Sequence, residues 1–213
     1  MIVSENLSKQ FNNKGFVLDN INLRISKGER VVFVGRNGSG KTTFIRCLLG
    51  LYNFNGTLTV DGINPRQDRM EVLKRIGYVP QTPPPINMMA AELIRYAADV
   101  SDKPLAPILE TSKTLMLDVD VDLQKNFMKL SGGMKQKLLI AIAMGRGNDI
   151  IIMDEPTSNL DPDSRKIFYD LISNFPDDAT MLLTSHRAEE LSFFANRVIE
   201  MDYGKVLRDE VIG

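Results

Sequence analysis

The chain has 213 residues, with 26 Lys+Arg against 27 Asp+Glu and a formal net charge of −1. That balance lacks the basic footprint that general nucleic-acid binding requires, so nucleic acid is not expected as a partner. The length suffices to bury a core without metal or disulfides, and the single Cys47 cannot form an internal bridge, which points to a reducing compartment.

Taken in order, "IVSENL" and "LDNINLRI" alternate apolar and polar residues at the period of half-exposed strands, and "GTLTVDG" repeats the pattern. These three segments predict an antiparallel sheet flanking the core. Between them, "RVVFVG" is a short continuous apolar run, as are "IGYVP", "DIIIMDEP" and "ATMLLTSH" further on. Such runs suit strands buried on both faces of a parallel sheet. Directly after the first of them, "TTFIRCLLGL" starts an amphipathic helix, in which Cys47 reads as a small buried side chain.

The stiff "PPP" at Pro83 to Pro85 predicts an extended arm. In "MMAAELIRYAADV", Met89, Leu93, Ala97 and Val100 recur at helical spacing, with Arg95 and Asp99 as an exposed pair. Residues from about 82 to 145 are predicted to be mostly helical. Met88 and Met89 beside the arm are expected to form an exposed apolar contact face. The acidic alternation at Asp118, Asp120 and Asp122 is a solvated face, since Lys129 stands where a calcium loop needs a bidentate Glu. The chain closes on the strands in "RVIEMDYGKVLRD". No apolar run approaches the roughly 18–20 residues that span a bilayer, and "MIVSENLSKQF" lacks the regions of a secretion signal. The chain by itself is therefore expected to be soluble.

Three segments carry chemistry. The strand, glycine-rich turn and helix of "VGRNGSGKTT" fit G-x-x-x-x-G-K-[ST] at Gly35, Gly40, Lys41 and Thr42. The bare glycines Gly35, Gly38 and Gly40 let successive N–H groups of the loop, with Arg36, Asn37 and Ser39 between them and Thr43 after it, converge on phosphate oxygens at a helix start. Lys41 adds a full positive charge, and the Thr42 hydroxyl can ligate Mg²⁺. In "DIIIMDEP", Asp154 and Glu155 end a buried strand, and strand alternation is expected to point them apart. Asp154 would hold Mg²⁺ while Glu155 orients and deprotonates an attacking water. In "KLSGGMKQK", Ser131, Gly132 and Gly133 read as a second helix N-terminus with a capping serine.

With Gln81 in "IGYVPQ", "LSGGM", "IIIMDEP", "SNLD" at Ser158 to Asp161 and His186 in "LLTSH", in that order, the whole chain resembles the nucleotide-binding subunit of an ATP-binding cassette transporter. The resemblance implies one α/β P-loop NTPase domain over 1–213: a mostly parallel core sheet, an antiparallel β subdomain and a helical subdomain at about 82–145. By the same resemblance Gln81 senses Mg²⁺ and the attacking water, while the loop after it meets a membrane subunit. Ser131 and Gly133 clasp the γ-phosphate of a nucleotide held mainly by a partner protomer. Asp161 links the two sites of the dimer, His186 contacts the γ-phosphate, and Phe11 stands at the adenine-stacking position, with core packing as its alternative role.

Met134 replaces the glutamine usual after the family's "LSGG", and "DVDVDLQKNFMK" lacks the Gly-Glu-rich motif of large fused exporters. The stop soon after the last strands is read as excluding the C-terminal regulatory domain of some sugar importers. The implied activity is ATP hydrolysis coupled to transport, with ATP and Mg²⁺ bound. A separate integral-membrane subunit is the implied partner, at the cytoplasmic face of the cell membrane where the chain sits peripherally. A second ATPase protomer completes the assembly, identical first and different as the alternative. The short "GMKQK" form resembles the ATPases of small two-component exporters. A soluble cassette ATPase serving cofactor or complex assembly is the competing reading.

Overall fold

The computed structural model describes residues 1–11, 15–186, 190–191 and 193–212. The chain divides into two compact units, Met1–Arg75 with Asp177–Gly213, and Ile76–Pro176.

In the first unit, β1 (Ile2–Gln10), β2 (Phe16–Ile25) and β4 (Asn55–Val60) form an antiparallel sheet in the order β2-β1-β4. Its register sets Ile2 opposite both Ile25 and Val60. The alternation read from the sequence buries Leu7, Leu18, Ile21, Leu23 and Ile25 on one face. Where the ladder breaks, side chains replace backbone partners: Leu23 N donates to Ser4 Oγ at 3.0 Å and Asn6 N to Asn22 Oδ1 at 2.8 Å. Amides that lose their ladder partner find others, and short polar side chains supply them here.

The same unit holds β3 (Arg30–Val34) between parallel neighbours β7 (Thr180–Ser185) and β8 (Arg197–Asp202), with β9 (Lys205–Val211) antiparallel to β8. Val31, Val32, Phe33, Leu182 and Leu183 are all buried, as continuous apolar runs predict. Helices α1 (Lys41–Leu48) and α2 (Arg69–Arg75) complete it. The largely buried Arg197 fastens four segments at once. Its guanidinium donates to both Asp209 oxygens at 2.7 and 2.8 Å, to Glu29 Oε2 at 2.8 Å and to the Arg24 carbonyl at 2.7 Å. These partners hold its pKa above the ordinary guanidinium value, the Asp209 bond first.

In the second unit, β5 (Ile76–Val79) pairs in parallel with β6 (Ile150–Asp154). Four helices belong to it: α3 (Ala90–Ser101), α4 (Ala106–Thr114), α5 (Gly132–Gly145) and α6 (Pro162–Ser173), with a 3₁₀ turn at Phe127–Lys129. Three of the four fall within 82–145. Leu93, Ile94, Ile108, Leu123, Phe127 and Leu138 belong to its apolar core.

Two sequence readings are corrected here. Val100 is 53% exposed, because the buried stripe of α3 runs through Ala90, Leu93, Ile94, Ala97 and Ala98 and leaves Val100 at its edge. Met88 and Met89 are half-buried, and Met88 packs on the apolar core. The backbone pins them there: Phe127 N donates to the Met88 carbonyl at 2.8 Å and Ala90 N to the Lys125 carbonyl at 2.9 Å. They do not form an exposed apolar face. The acidic segment behaves as a turn, with Asp118 Oδ1 accepting from the amides of Asp120 and Val121 at 3.0 and 3.1 Å. Among the described residues no helix is long and apolar enough to cross a membrane.

Candidate nucleotide site

In the first unit, β3 delivers the chain into a turn whose glycines take conformations that side chains resist: φ is 151° at Gly35, 83° at Gly38 and 110° at Gly40. The turn closes with Ser39 N donating to the Arg36 carbonyl at 3.1 Å, and α1 begins at Lys41. The first helical bond runs from Phe44 N to the Gly40 carbonyl at 2.8 Å. Amides before it lie outside the helical ladder, and Gly40 as N-cap offers them no side chain. The Lys41 ammonium folds back into this turn, 2.6 Å from the Gly35 carbonyl and 3.2 Å from that of Arg36, with the side chain almost wholly buried. Arg36, Asn37 and Gly38 are exposed, Thr42 and Thr43 half-buried. A buried cation held by carbonyls at a helix start is an arrangement suited to an anionic ligand.

Phe11 is exposed and stands edge-on to Tyr52, ring centroids 5.1 Å apart, with Lys9 Nζ 4.4 Å over its ring. It is therefore not a core residue, and one face carries a cation. Tyr52 and Lys9 escaped sequence reasoning. Tyr52 lies 41 positions away, and only "LYNF" following α1 could have pointed to it. His186 follows the last residue of β7 and is exposed.

In the second unit, Asp154 ends β6 at 1% exposure. Glu155 has already left the strand, with φ at +48°. The alternation argument therefore fails for this pair: a left-handed backbone step re-aims Glu155 and leaves it half-buried. Its Oε2 accepts from Gln81 Nε2 at 3.0 Å. Asn159 Nδ2 in turn donates to the Gln81 carbonyl at 3.3 Å. Asn159 lies inside "SNLD" but was not singled out, because nothing local shows that its amide reaches 78 residues back.

Ser131 caps α5 as its type predicts, Oγ accepting from Met134 N at 3.2 Å. Gly132 is exposed, and a side chain at Gly133 would come within 3.0 Å of the Asn159 carbonyl. Asp161 is the N-cap of α6, taking the Ser164 amide at 2.9 Å and the Ser164 hydroxyl at 2.5 Å. Those two bonds, the hydroxyl first, hold its carboxyl down at about 2, with Lys137 3.7 Å away adding its charge. Gln136, one turn into α5, is fully buried and donates to the Pro156 carbonyl at 3.4 Å.

A protein-family model described as ABC transporter matches residues 18–158. The chain belongs to the ABC transporter family. It is the ATP-binding cassette of that family, the module that hydrolyses ATP. It is 35% identical over 98% of its length to the arginine transport ATP-binding protein ArtM of Bacillus subtilis, 90% of which is covered. It is 32% identical to ABC transporter A family member 7 of Dictyostelium discoideum, covering 96% of this chain but only 25% of that protein. The cassette thus spans a quarter or less of the large A-family relatives it matches. Among solved structures it superposes with TM-score 0.86 on a dimeric ATP-binding cassette in a post-hydrolysis state with ADP and Pi, at 26% identity over 100% of this chain and 99% of that one. The fold is the mixed α/β cassette read from the sequence.

Proposed function

We propose that this cassette binds ATP through the turn 35–43 and hydrolyses it with Glu155 as general base, driving transport through a separate membrane-spanning subunit. One observation carries the reading: the buried Lys41 ammonium seated in a glycine turn, at a helix start that no side chain caps. In this reading Lys41 leaves the carbonyls of Gly35 and Arg36 for the terminal phosphates, and amides from Gly38 to Thr43 receive the remaining phosphate oxygens. Phe11 offers an exposed ring to the base. Thr42, Asp154 and Gln81 offer hard oxygen donors of the kind Mg²⁺ takes, and the ion supplies charge neutralisation at the phosphates. Glu155 takes the proton of the attacking water, with Gln81 holding the carboxylate oriented. His186 contacts the γ-phosphate.

Ser131, Gly132 and Gly133 face the nucleotide of a second protomer, with Asp161 at the junction. The dimeric solved cassette supports this pairing, and an identical partner is the simplest case. That cassette's match over both whole lengths also supports reading 1–213 as one domain, with 82–145 its helical part. Docking on a membrane subunit places the protein peripherally at the cytoplasmic face. A small exporter remains our reading of its transport class.

Glu155→Gln keeps the shape of the side chain and removes its basicity. A general base is worth about 10²–10⁴ in rate. The variant should bind ATP as wild type does while steady-state hydrolysis falls by at least about a hundredfold. Hydrolysis within about threefold of wild type would remove Glu155 from the base role.

A further inference from the structure

The turn between β8 and β9 lies against the glycine-rich loop in the first unit, and backbone hydrogen bonds make the contact. Gly204 N donates to the Ser39 carbonyl at 3.0 Å, while Asp19 N on β2 donates to the Gly204 carbonyl at 2.8 Å. One residue therefore wires the loop to β2 through its two peptide groups. The approach is close on every side. A Cβ on Gly204 would sit 2.5 Å from the Val17 carbonyl oxygen, and one on Gly40 would meet that same oxygen at 2.9 Å and the Gly204 Cα at 3.4 Å. A Cβ on Gly35 would come within 2.2 Å of the Met201 carbonyl at the end of β8. The turn itself is held in an uncommon shape, with φ of 45° at Tyr203 and 75° at Gly204, and Lys205 pairs with Asp19 at 3.2 Å.

We propose that Gly204 is a positioning residue for nucleotide binding: the β8–β9 turn braces the phosphate loop from beneath, fixing the Ser39–Gly40 peptide from which α1 starts. The inference rests on the reading that residues 35–43 bind the phosphates. An amide row can receive phosphate oxygens only if its peptide planes are already aimed, and loop peptides are otherwise soft. Ser39 is itself buried at 2% exposure, so its carbonyl needs an internal partner, and the Gly204 amide is that partner. The brace lies more than 160 positions along the chain from the loop that it holds.

A matched control separates positioning from general backbone strain. Gly62 has nearly the same conformation, φ +78° against +75°, yet a Cβ there would meet nothing within 4 Å. Gly62→Ala and Gly204→Ala thus impose the same left-handed penalty, and only the second displaces the brace. Titration with a fluorescent ATP analogue, below both melting temperatures, should show affinity weakened by about tenfold or more in Gly204→Ala and within about twofold of wild type in Gly62→Ala. In turnover, Gly204→Ala should raise KM with kcat at saturating ATP nearly kept, because Glu155 makes none of these contacts. Equal affinities in the two variants would overturn the proposal. Wild-type chain that fails to bind ATP at all would overturn the nucleotide-site reading and this inference with it. Amide exchange in the wild type decides the matter even if Gly204→Ala does not fold. ATP should slow exchange at Gly204 and Asp19 and leave Ile63, in the Gly62 turn, unchanged. ATP that binds without protecting Gly204 more than Ile63 would contradict the brace.

Discussion

The helix starts at Lys41 and at Gly132 look alike in sequence, each marked by serine followed by glycine, and the structure builds them in opposite ways. At α1 the N-cap is Gly40, which makes no side-chain cap bond, and a buried ammonium is folded into the turn. At α5 Ser131 is the N-cap, its hydroxyl already holds the Met134 amide, and Ser131 and Gly132 are exposed. The first start, in the proposed reading, suits an anion that the chain binds by itself. The second is a capped helix end with exposed residues at its start, which in the proposed reading suits a ligand brought by another molecule. Electrostatics favours an anion at both, so the difference lies in preorganisation.

The comparison breaks most visibly in nucleotide affinity. Lys41→Ala removes a charged donor worth about 1.5–3 kcal/mol per phosphate bond, so ATP binding by the isolated chain should weaken by roughly a hundredfold. Ser131→Ala in the same titration should change affinity by less than about twofold, since the single chain does not use that amide row. Comparable losses in both would erase the distinction. The order reverses for folding. Ser131→Ala removes a helix cap and should cost about 1 kcal/mol in urea unfolding, a loss that rescue by Ser131→Asn should largely restore.

A smaller effect is expected at Asp161, which caps α6 as Ser131 caps α5. Its folded pKa, at about 2, lies below the ordinary aspartate value. A carboxyl with a depressed pKa contributes stability that is present above the ordinary value and is lost as pH falls through the folded one. Asp161→Asn keeps a capping oxygen and removes the titration. Its unfolding midpoint should therefore fall less steeply than that of wild type between about pH 4 and 2. The smallest effect belongs to Cys47 in α1. Burial pushes its thiol up to about 11, so a thiol reagent at neutral pH should label the native chain negligibly, with or without ATP. Rapid labelling would show that α1 opens more readily than a preorganised start allows.

How far the sequence was legible depends on whether a feature is local. Strands were readable because their burial follows period and composition, as in Val31 to Val34 and Ile150 to Met153. Ser131 was readable as a cap because capping needs only the next three residues. Glu155 is legible as the residue that follows a buried strand but not in its orientation, since a single φ of +48° overrides strand alternation and no local residue preference announces it. The half-buried setting of Met88 and Met89 is not legible locally, because their neighbours at Lys125 to Phe127 lie some 35 residues downstream. The Gly204 brace and the Asn159 bond to Gln81 are likewise contacts between distant segments, written in backbone approach and not in composition.

The central claim, that the two helix starts serve one nucleotide from different protomers, is tested most directly by complementation. Lys41→Ala and Ser131→Arg are made in separate chains, each also carrying Glu155→Gln to block hydrolysis. Each homodimer then has both sites damaged, whereas a mixed dimer has one intact site and one doubly broken one. In sedimentation with ATP, the account predicts that neither variant dimerises alone and that the mixture does. Monomers only in the mixture, while the Glu155→Gln chain dimerises under the same conditions, would contradict it.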